Sequence, residues 1–284
     1  MPDRMLLLLC AACTWGQAPA PPGRLVDVGG YRVHVDCTGA GSPAIVIVGA
    51  GFSFDWALVQ PEVAKVATVC TYDPSGTAWS DPGPPLDCRG RVDEVRKAMR
   101  AAPVKSPFVL VGLSMGACVA RLYAAEYPAE VAAMVIVDHA FAPKPPPAKT
   151  SPTFAGLDSP PVLLEQTPID FTVEDASHFE NLPPRARQLH RWAMSLHPKM
   201  PAWTDAEDCL AQLKNAPSLG DLPLVVVSTG NETPGYAELQ RELLALSRRS
   251  SQMVAERSFH AVEIDQPDVV IAAIRSVIGA LRAQ

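Results

Sequence analysis

A chain of 284 residues, 48% of them hydrophobic, is long enough to bury a large core, and it fits one domain with an insertion better than two independent domains. Its 24 basic and 30 acidic residues give a formal net charge of -6, and the sequence has no long basic run and no basic patch interleaved with aromatic residues. We therefore do not expect nucleic acid as a partner.

Residues 1–24 have the composition of a leader or signal peptide. An apolar run over residues 5–13 is followed by small residues and then by several prolines. This pattern favours export, which makes the expected mature protein secreted or periplasmic; the alternatives are an unstructured leader or an apolar first strand on a cytoplasmic protein. No later run approaches the ~20 apolar residues that a membrane span requires, so we expect no span in the mature chain.

Hydrophobic periodicity and turn residues predict strands and helices that alternate along the chain. The predicted strands cover residues 31–36, 44–48, 66–72, 108–113, 131–138, 222–228 and 252–256. The predicted helices cover residues 92–102, 115–127, 184–197, 204–214, 235–249 and 268–282. Strands that alternate with helices are typical of a mostly parallel, doubly wound sheet, so the predicted fold class is α/β.

Residues 141–220 interrupt this alternation. The segment begins with a proline-rich stretch at 143–147 and continues with helical patterns only. We interpret it as a helical cap inserted into a core made of residues 25–140 and 221–284. Its large apolar side chains are candidates for a substrate pocket or for the cap's own core: Phe179, Leu182, Trp192, Met194, Leu196 and Trp203.

The clearest chemical signal is the apolar run at 108–113, which leads into Gly112-Leu113-Ser114-Met115-Gly116 and then into a predicted helix. A serine hydroxyl is a weak nucleophile until a base takes its proton, and a tight strand-to-helix turn holds its oxygen clear of the backbone. The glycines remove side chains that would collide where the strand and the helix approach each other. This context favours Ser114 as a nucleophile over a serine in a plain glycine-rich turn.

His260 is the candidate base. It follows the last predicted strand and precedes the last predicted helix, which places it at the carboxyl edge of the sheet together with Ser114. A histidine ring titrates near neutrality, so it can take the hydroxyl proton and later return it to the leaving group. The other histidines lack this position, and we interpret them as structural or exposed: His34, His139, His178, His190 and His197.

Seven cysteines do not define a compartment. Cys10 and Cys13 lie in the leader, and the other five are an odd set, so at least one thiol is unpaired in a monomer. Their pairing cannot be deduced from the sequence. Cys70 and Cys118 lie in apolar segments, which favours small core residues. No Cys-x-x-Cys pair or histidine spacing indicates a metal site.

With these features in place, the chain resembles the α/β-hydrolase superfamily over nearly all residues after the leader. Residues 45–51 are similar to the family's strand and His-Gly-x loop, and residues 69–80 to its Tyr-Asp-Arg-x-Gly-x-Gly-x-Ser segment. The Gly-x-Ser-x-Gly turn and the residues around His260 complete the resemblance. Gly49 stands where the family often has histidine, and two further departures, Pro74 and Ala78, replace an arginine and a second glycine.

The resemblance implies an α/β-hydrolase fold with an oxyanion hole made of two backbone amides. Carried over to this chain, these amides belong to Ala50 and Met115. Two preorganised N–H donors stabilise the negative oxygen that develops during acyl transfer, and the loss of one such donor costs about 3 kcal/mol.

The resemblance also implies an acid that orients His260. In many relatives an aspartate follows the strand that corresponds to 222–228, but here that position offers only Glu232. Asp138 ends the strand next to the nucleophile strand, and some family members use that site. We favour Asp138, and Glu232 is the alternative.

These residues predict a serine hydrolase that cleaves carboxylic esters through a Ser-His-acid acyl-enzyme mechanism. The expected substrate is a small or medium apolar ester, and the mechanism needs no cofactor. The alternatives are hydrolysis of lactones, amides or carbon-carbon bonds, or a hydrolase-like receptor that binds a ligand with little turnover. Dehalogenases and epoxide hydrolases are disfavoured, because those relatives use aspartate where this chain has Ser114.

Overall fold

The computed structural model describes residues 18–49, 51–139, 176–196, 206–230 and 235–283. Eight strands form one sheet in the order β1-β2-β4-β3-β5-β6-β7-β8. The strands are β1 Arg24–Asp27, β2 Arg32–Thr38, β3 Ile45–Val48, β4 Val69–Asp73, β5 Phe108–Leu113, β6 Val131–Val137, β7 Leu224–Thr229 and β8 Ser250–Ala255. β2 pairs antiparallel with β1 and β4, and the pairs from β4 to β8 are parallel. The predicted α/β class with a mostly parallel sheet is therefore confirmed.

Helices cover both faces of this sheet. They are α1 Gln60–Val63, α2 Cys88–Ala101, α3 Met115–Glu126, α4 Pro184–Leu196, α5 Ala206–Leu213, α6 Tyr236–Leu244, α7 Val262–Asp265 and α8 Pro267–Arg282. α2, α3, α5 and α6 contribute to the core on one face, and α1, α7 and α8 contribute to the core on the other. None of the described helices is long and apolar enough to cross a membrane.

The central strands are apolar along their whole length because both faces of the sheet are covered. Every residue of β3, β5 and β7 is buried, as expected for parallel strands between two helical layers. Successive side chains alternate between the two cores. Leu110 packs with the α2 and α3 side, whereas Val109 and Val111 pack with the α1 and α8 side.

Most predicted elements lie within a few residues of the observed ones. β5 occupies the predicted residues 108–113. α2 begins at Cys88, earlier than the predicted 92–102, because the Asp87 carboxylate caps it by accepting the Gly90 amide at 2.7 Å. The prediction lacks β1, a four-residue edge strand with one buried side chain that gives almost no hydrophobic pattern.

Two helices of the predicted insertion fall within the described residues, and they pack in different places. α4 contacts a short 3₁₀ helix, Ser53–Trp56, which follows β3, whereas α5 packs against α2 and α3. Cys209 and Leu213 of α5 are part of the core beneath those helices. The limits of the cap at 141–220 and of the leader at 1–24 stay predictions.

Two disulfides cross-link the described residues. Cys37 on β2 pairs with Cys70, which lies opposite it on β4, and Cys88 of α2 pairs with Cys209 of α5. Cys118 is a free, buried cysteine. The interpretation of Cys70 as a small core residue is confirmed, because it is fully buried in the core, and its sulfur is in addition bonded across the antiparallel pair of strands. The same interpretation describes Cys118 correctly.

Candidate active site

Ser114 forms the turn between β5 and α3 in a strained backbone conformation. Its φ is 54°, a left-handed value that is uncommon for a residue with a side chain, and it is 4% exposed. Its backbone amide donates to the Val137 carbonyl of the neighbouring strand at 3.0 Å. A Cβ on Gly116 would lie 1.8 Å from the Val48 carbonyl oxygen, and a Cβ on Gly112 would lie 2.6 Å from the α3 backbone. The turn can therefore form only with glycine on both sides of Ser114.

Asp138 lies at the end of the adjacent strand β6 and repeats this geometry. Its φ is 37°, and its amide donates to the Val227 carbonyl at 2.8 Å. β5 and β6 are paired up to Leu113 and Val137, the residues that directly precede Ser114 and Asp138. The two side chains therefore leave the same edge of the sheet from neighbouring strands, as the sequence predicts.

His260 and Asp138 are brought together across the sheet edge. Nδ1 of His260 lies 2.6 Å from Oδ2 of Asp138, with the histidine side chain 21% exposed and the aspartate side chain 6% exposed. The loop that carries His260 is held by α7, because the Asp265 carboxylate accepts the Phe259 amide at 3.3 Å. The alternative acid, Glu232, lies outside the described residues.

The second oxygen of Asp138 has partners that sequence reasoning missed. The Tyr236 hydroxyl, on the first residue of α6, lies 2.5 Å from Oδ1, and the Thr229 hydroxyl, at the end of β7, lies 3.4 Å from it. Burial first, and then the Asp138 charge, raise the pKa of Tyr236 well above its ordinary value. No motif or spacing connects Tyr236 with β6, so the sequence carries no signal for this contact.

The predicted oxyanion amides are only partly within the described residues. Met115 is the first residue of α3, and the first amides of a helix have no acceptor within it, so they are suited to binding an anion. Ala50 lies outside the described residues. Its neighbours constrain the loop: a Cβ on Gly49 would lie 2.6 Å from the Trp56 ring nitrogen, and a Cβ on Gly51 would lie 2.5 Å from Asp55 Oδ2.

The other described histidines are buried and have partners of their own. His34 Nδ1 lies 2.7 Å from Asp73, His190 Nδ1 lies 2.8 Å from Asp55, and His178 Nδ1 lies 3.6 Å from Asp265. Burial lowers the pKa of His139 to about 4, so this ring, whose Nδ1 lies 3.2 Å from the Ser114 carbonyl oxygen, is neutral. His197 lies outside the described residues.

An aromatic cluster connects α4 with the loops after β3 and β4. Phe52, Phe54 and Leu189 are buried in it, and Trp79 and Trp192 pack against it with ring centroids 4.9 Å apart. The remaining apolar candidates of the predicted cap lie in different places. Met194 packs on the aromatic cluster, whereas Phe179 and the buried Leu182 belong to a separate cluster with Ala261 and Ile264. Leu196 is 51% exposed, and Trp203 lies outside the described residues.

Within the described ranges, no group of three or more histidine, cysteine or acidic side chains is arranged to hold a metal ion.

Comparison with known proteins agrees with this architecture. A family model described as the alpha/beta hydrolase fold matches residues 43–203. The chain is 24% identical, over 263 residues, to the Bacillus subtilis (strain 168) protein named "Uncharacterized protein YqjL", with 88% of this chain and 89% of that protein covered.

Solved structures with this fold include enzymes of different chemistry. A thermophilic esterase from Thermogutta terrifontis has a TM-score of 0.63 at 19% identity, with 88% of this chain and 94% of that chain covered. The epoxide hydrolase CorEH has a TM-score of 0.62 at 17% identity, with 91% and 98% covered. At these identities the likeness establishes the fold and not the bond that is cleaved. On the family match and the fold, the chain belongs to the alpha/beta hydrolase fold family, which supports a hydrolase activity.

Proposed function

We propose that this protein is a serine hydrolase that cleaves carboxylic esters through an acyl-enzyme. Ser114 is the nucleophile, His260 the general base and acid, and Asp138 the carboxylate that orients His260. The observation that carries the proposal is the 2.6 Å contact between His260 Nδ1 and Asp138 Oδ2, at the sheet edge where Ser114 occupies its strained turn. A carboxylate against Nδ1 keeps the proton on that nitrogen, which leaves Nε2 as the basic one.

In the proposed reaction, His260 Nε2 takes the Ser114 proton as the serine oxygen attacks the ester carbonyl carbon. The amides of Met115 and Ala50 stabilise the oxyanion. His260 then gives its proton to the leaving alcohol, and the acyl group stays on Ser114. His260 takes a proton from water as the water oxygen attacks the acyl carbon, and it gives that proton to the Ser114 oxygen as the acyl–oxygen bond breaks, which releases the carboxylic acid and restores Ser114.

The proposed substrate is a small or medium apolar ester, bound against α4, the helix of the predicted cap that contacts the loop after β3. This is supported by the aromatic cluster around Phe52, Trp79 and Trp192, because apolar and aromatic walls are typical of sites for apolar ligands. A serine nucleophile also serves lactone, amide and carbon-carbon bond hydrolysis, so these are the competing outcomes in a substrate panel.

We also propose that the protein works outside the cytoplasm, as a secreted or periplasmic enzyme. The pairs Cys37–Cys70 and Cys88–Cys209 support this location, because structural disulfides persist in oxidising compartments. The signal-like composition of residues 1–24 points the same way.

Labelling with a serine-directed fluorophosphonate, followed by a panel of p-nitrophenyl esters of increasing chain length, tests the proposed activity. We expect the wild type to be labelled once, on Ser114, and to hydrolyse the esters. Ser114→Ala abolishes both signals. Ser251→Ala, at an exposed serine of the edge strand β8, is the control and keeps both.

The substrate panel separates the competing functions. Failure of the wild type to be labelled or to hydrolyse any ester contradicts the proposal and favours a ligand-binding role. If Ser114 is labelled but only lactones or amides are hydrolysed, Ser114 is still the nucleophile and the proposed ester substrate is wrong.

A further inference from the structure

The Asp138 carboxylate lies in a buried environment where protein groups must satisfy its charge. Its side chain is 6% exposed, so water supplies little stabilisation, and a buried carboxylate without hydrogen-bond donors is costly. Oδ2 faces His260 Nδ1 at 2.6 Å. Oδ1 faces the Tyr236 hydroxyl at 2.5 Å and, at a longer 3.4 Å, the Thr229 hydroxyl. The short contact from Tyr236 is therefore the main interaction on the oxygen that His260 does not use.

The direction of the Tyr236 hydrogen bond follows from counting donors and acceptors. The phenol oxygen accepts from the backbone amide of Thr229 at 2.9 Å and has the Thr229 hydroxyl 3.2 Å away as a second donor. A phenol has a single proton, and the carboxylate oxygen at 2.5 Å can only accept it. Because burial and the Asp138 charge raise the pKa of Tyr236, the phenol keeps this proton at neutral and moderately alkaline pH.

Helix α6 holds the end of β6 at two adjacent points. Tyr236 and Gln240 are four positions apart and therefore lie on one face of the helix. Gln240 Nε2 donates to the His139 carbonyl at 3.2 Å, while Tyr236 bonds the Asp138 side chain. The helix itself is fixed by the buried Leu243. Asp138 has a φ of 37°, and such a conformation persists only where its surroundings hold it.

We propose that Tyr236 is a positioning residue for the ester hydrolysis, acting through Asp138. Its hydroxyl fixes Oδ1, so that Oδ2 keeps its orientation toward His260 Nδ1. This inference rests on the proposed function, in which Asp138 orients the base. In this proposal, α6 supports Asp138, the acid that follows β6, through the Tyr236 hydroxyl.

Tyr236→Phe tests the proposal with a closely matched control. The variant removes one hydroxyl, and we expect kcat to fall about tenfold or more, as for a lost hydrogen bond to a charged group, with KM changed less than twofold. Tyr123→Phe removes the same group from a second tyrosine–carboxylate pair, in which the hydroxyl of the buried Tyr123 lies 2.6 Å from the partly exposed Glu130. The control keeps kcat within twofold, and thermal unfolding of both variants shows that they fold.

A histidine titration by NMR gives a readout that does not need turnover. Loss of the Tyr236 donor leaves the Asp138 anion less stabilised, so the His260–Asp138 pair binds its next proton more tightly. We expect the His260 titration midpoint to move to higher pH in Tyr236→Phe and to stay in place in Tyr123→Phe. Titratable groups that interact with this pair or with its loop include Tyr236 on α6, His139 after β6, and Asp265 on α7 with its partner His178.

The outcomes separate the two proposals. A wild type that is neither labelled nor active contradicts the ester hydrolase, while the NMR titration still decides the role of Tyr236. Wild-type kcat together with an unchanged His260 midpoint in Tyr236→Phe overturns the positioning role. If that variant does not fold, the NMR chemical shift of the Tyr236 hydroxyl proton is compared between the wild type and Asp138→Asn. An upfield shift in Asp138→Asn supports the hydrogen bond to Asp138, and an unchanged shift contradicts the proposal.

Discussion

At the scale of single residues, the site depends on a contact between side chains that are 122 positions apart in the chain. His260 and Asp138 meet at 2.6 Å because parallel strands bring the ends of β6 and β8 to the same edge of the sheet. The place of His260 after the last strand predicts it as the base, whereas Asp138 is favoured over Glu232 from its place at the end of a strand and from the family resemblance. The sequence does not predict the contact of Tyr236 with Asp138, because a hydroxyl on another element follows no periodicity.

Replacement of Asp138 by its amide tests the assignment of the acid. In Asp138→Asn we expect kcat to fall by about 10³ to 10⁴, because an amide cannot hold Nδ1 protonated and leave Nε2 basic. Glu232→Gln tests the alternative acid. Asp81→Asn, which alters the ion pair with Arg32 at the surface, is the control. Both are expected to keep kcat within twofold. A collapse of activity in Glu232→Gln alone would transfer the role to Glu232.

At the scale of elements, the turn at Ser114 between β5 and α3 is the part of the fold that the sequence predicts best. Both ends of β5 and the first residue of α3 lie where the sequence predicts them, because an apolar run, two glycines and a following helical pattern are strong local signals. The edge strand β1 and the early start of α2 are missed, since the first has one buried side chain and the second depends on a cap at Asp87.

Glycine at position 116 should be indispensable for this turn. A Cβ there would lie 1.8 Å from the Val48 carbonyl, so Gly116→Ala must displace β3 or α3, and we expect a loss of about 2 kcal/mol or more in the free energy of unfolding. Gly279→Ala is the control, because a Cβ at that position in α8 meets no atom within 4 Å. The control is expected to gain about 0.5–1 kcal/mol from its better helix propensity. Denaturant unfolding measures both, and equal stabilities for the two variants would contradict the packing of the turn.

At the scale of the whole molecule, two covalent bonds connect parts that the sequence alone could not pair. The five cysteines after residue 24 allow many pairings, and only the register of β2 against β4 and the packing of α5 on α2 bring the partners together. Cys118 is left as the free thiol, and burial raises its pKa to about 12, which keeps it unreactive.

Removal of the Cys88–Cys209 bond tests this arrangement. The two cysteines are 121 positions apart, and the loss of a native disulfide costs about 2–5 kcal/mol. We expect the double variant Cys88→Ala and Cys209→Ala to unfold at a lower temperature than the oxidised wild type. Reductant should lower the Tm of the wild type, which loses two disulfides, by more than it lowers the Tm of the variant, which has only the Cys37–Cys70 disulfide to lose. A wild-type Tm that does not respond to reductant would contradict the disulfides.

In the proposed mechanism, Ser114 carries the acyl group during turnover. Intact-protein mass spectrometry of enzyme quenched during hydrolysis of a p-nitrophenyl ester tests it directly, with peptide mapping of the adduct. We expect a mass increase of one acyl group on the peptide that contains Ser114, and no such increase in Ser114→Ala. Ester turnover that persists in Ser114→Ala, or an acyl group mapped to another residue, would contradict it.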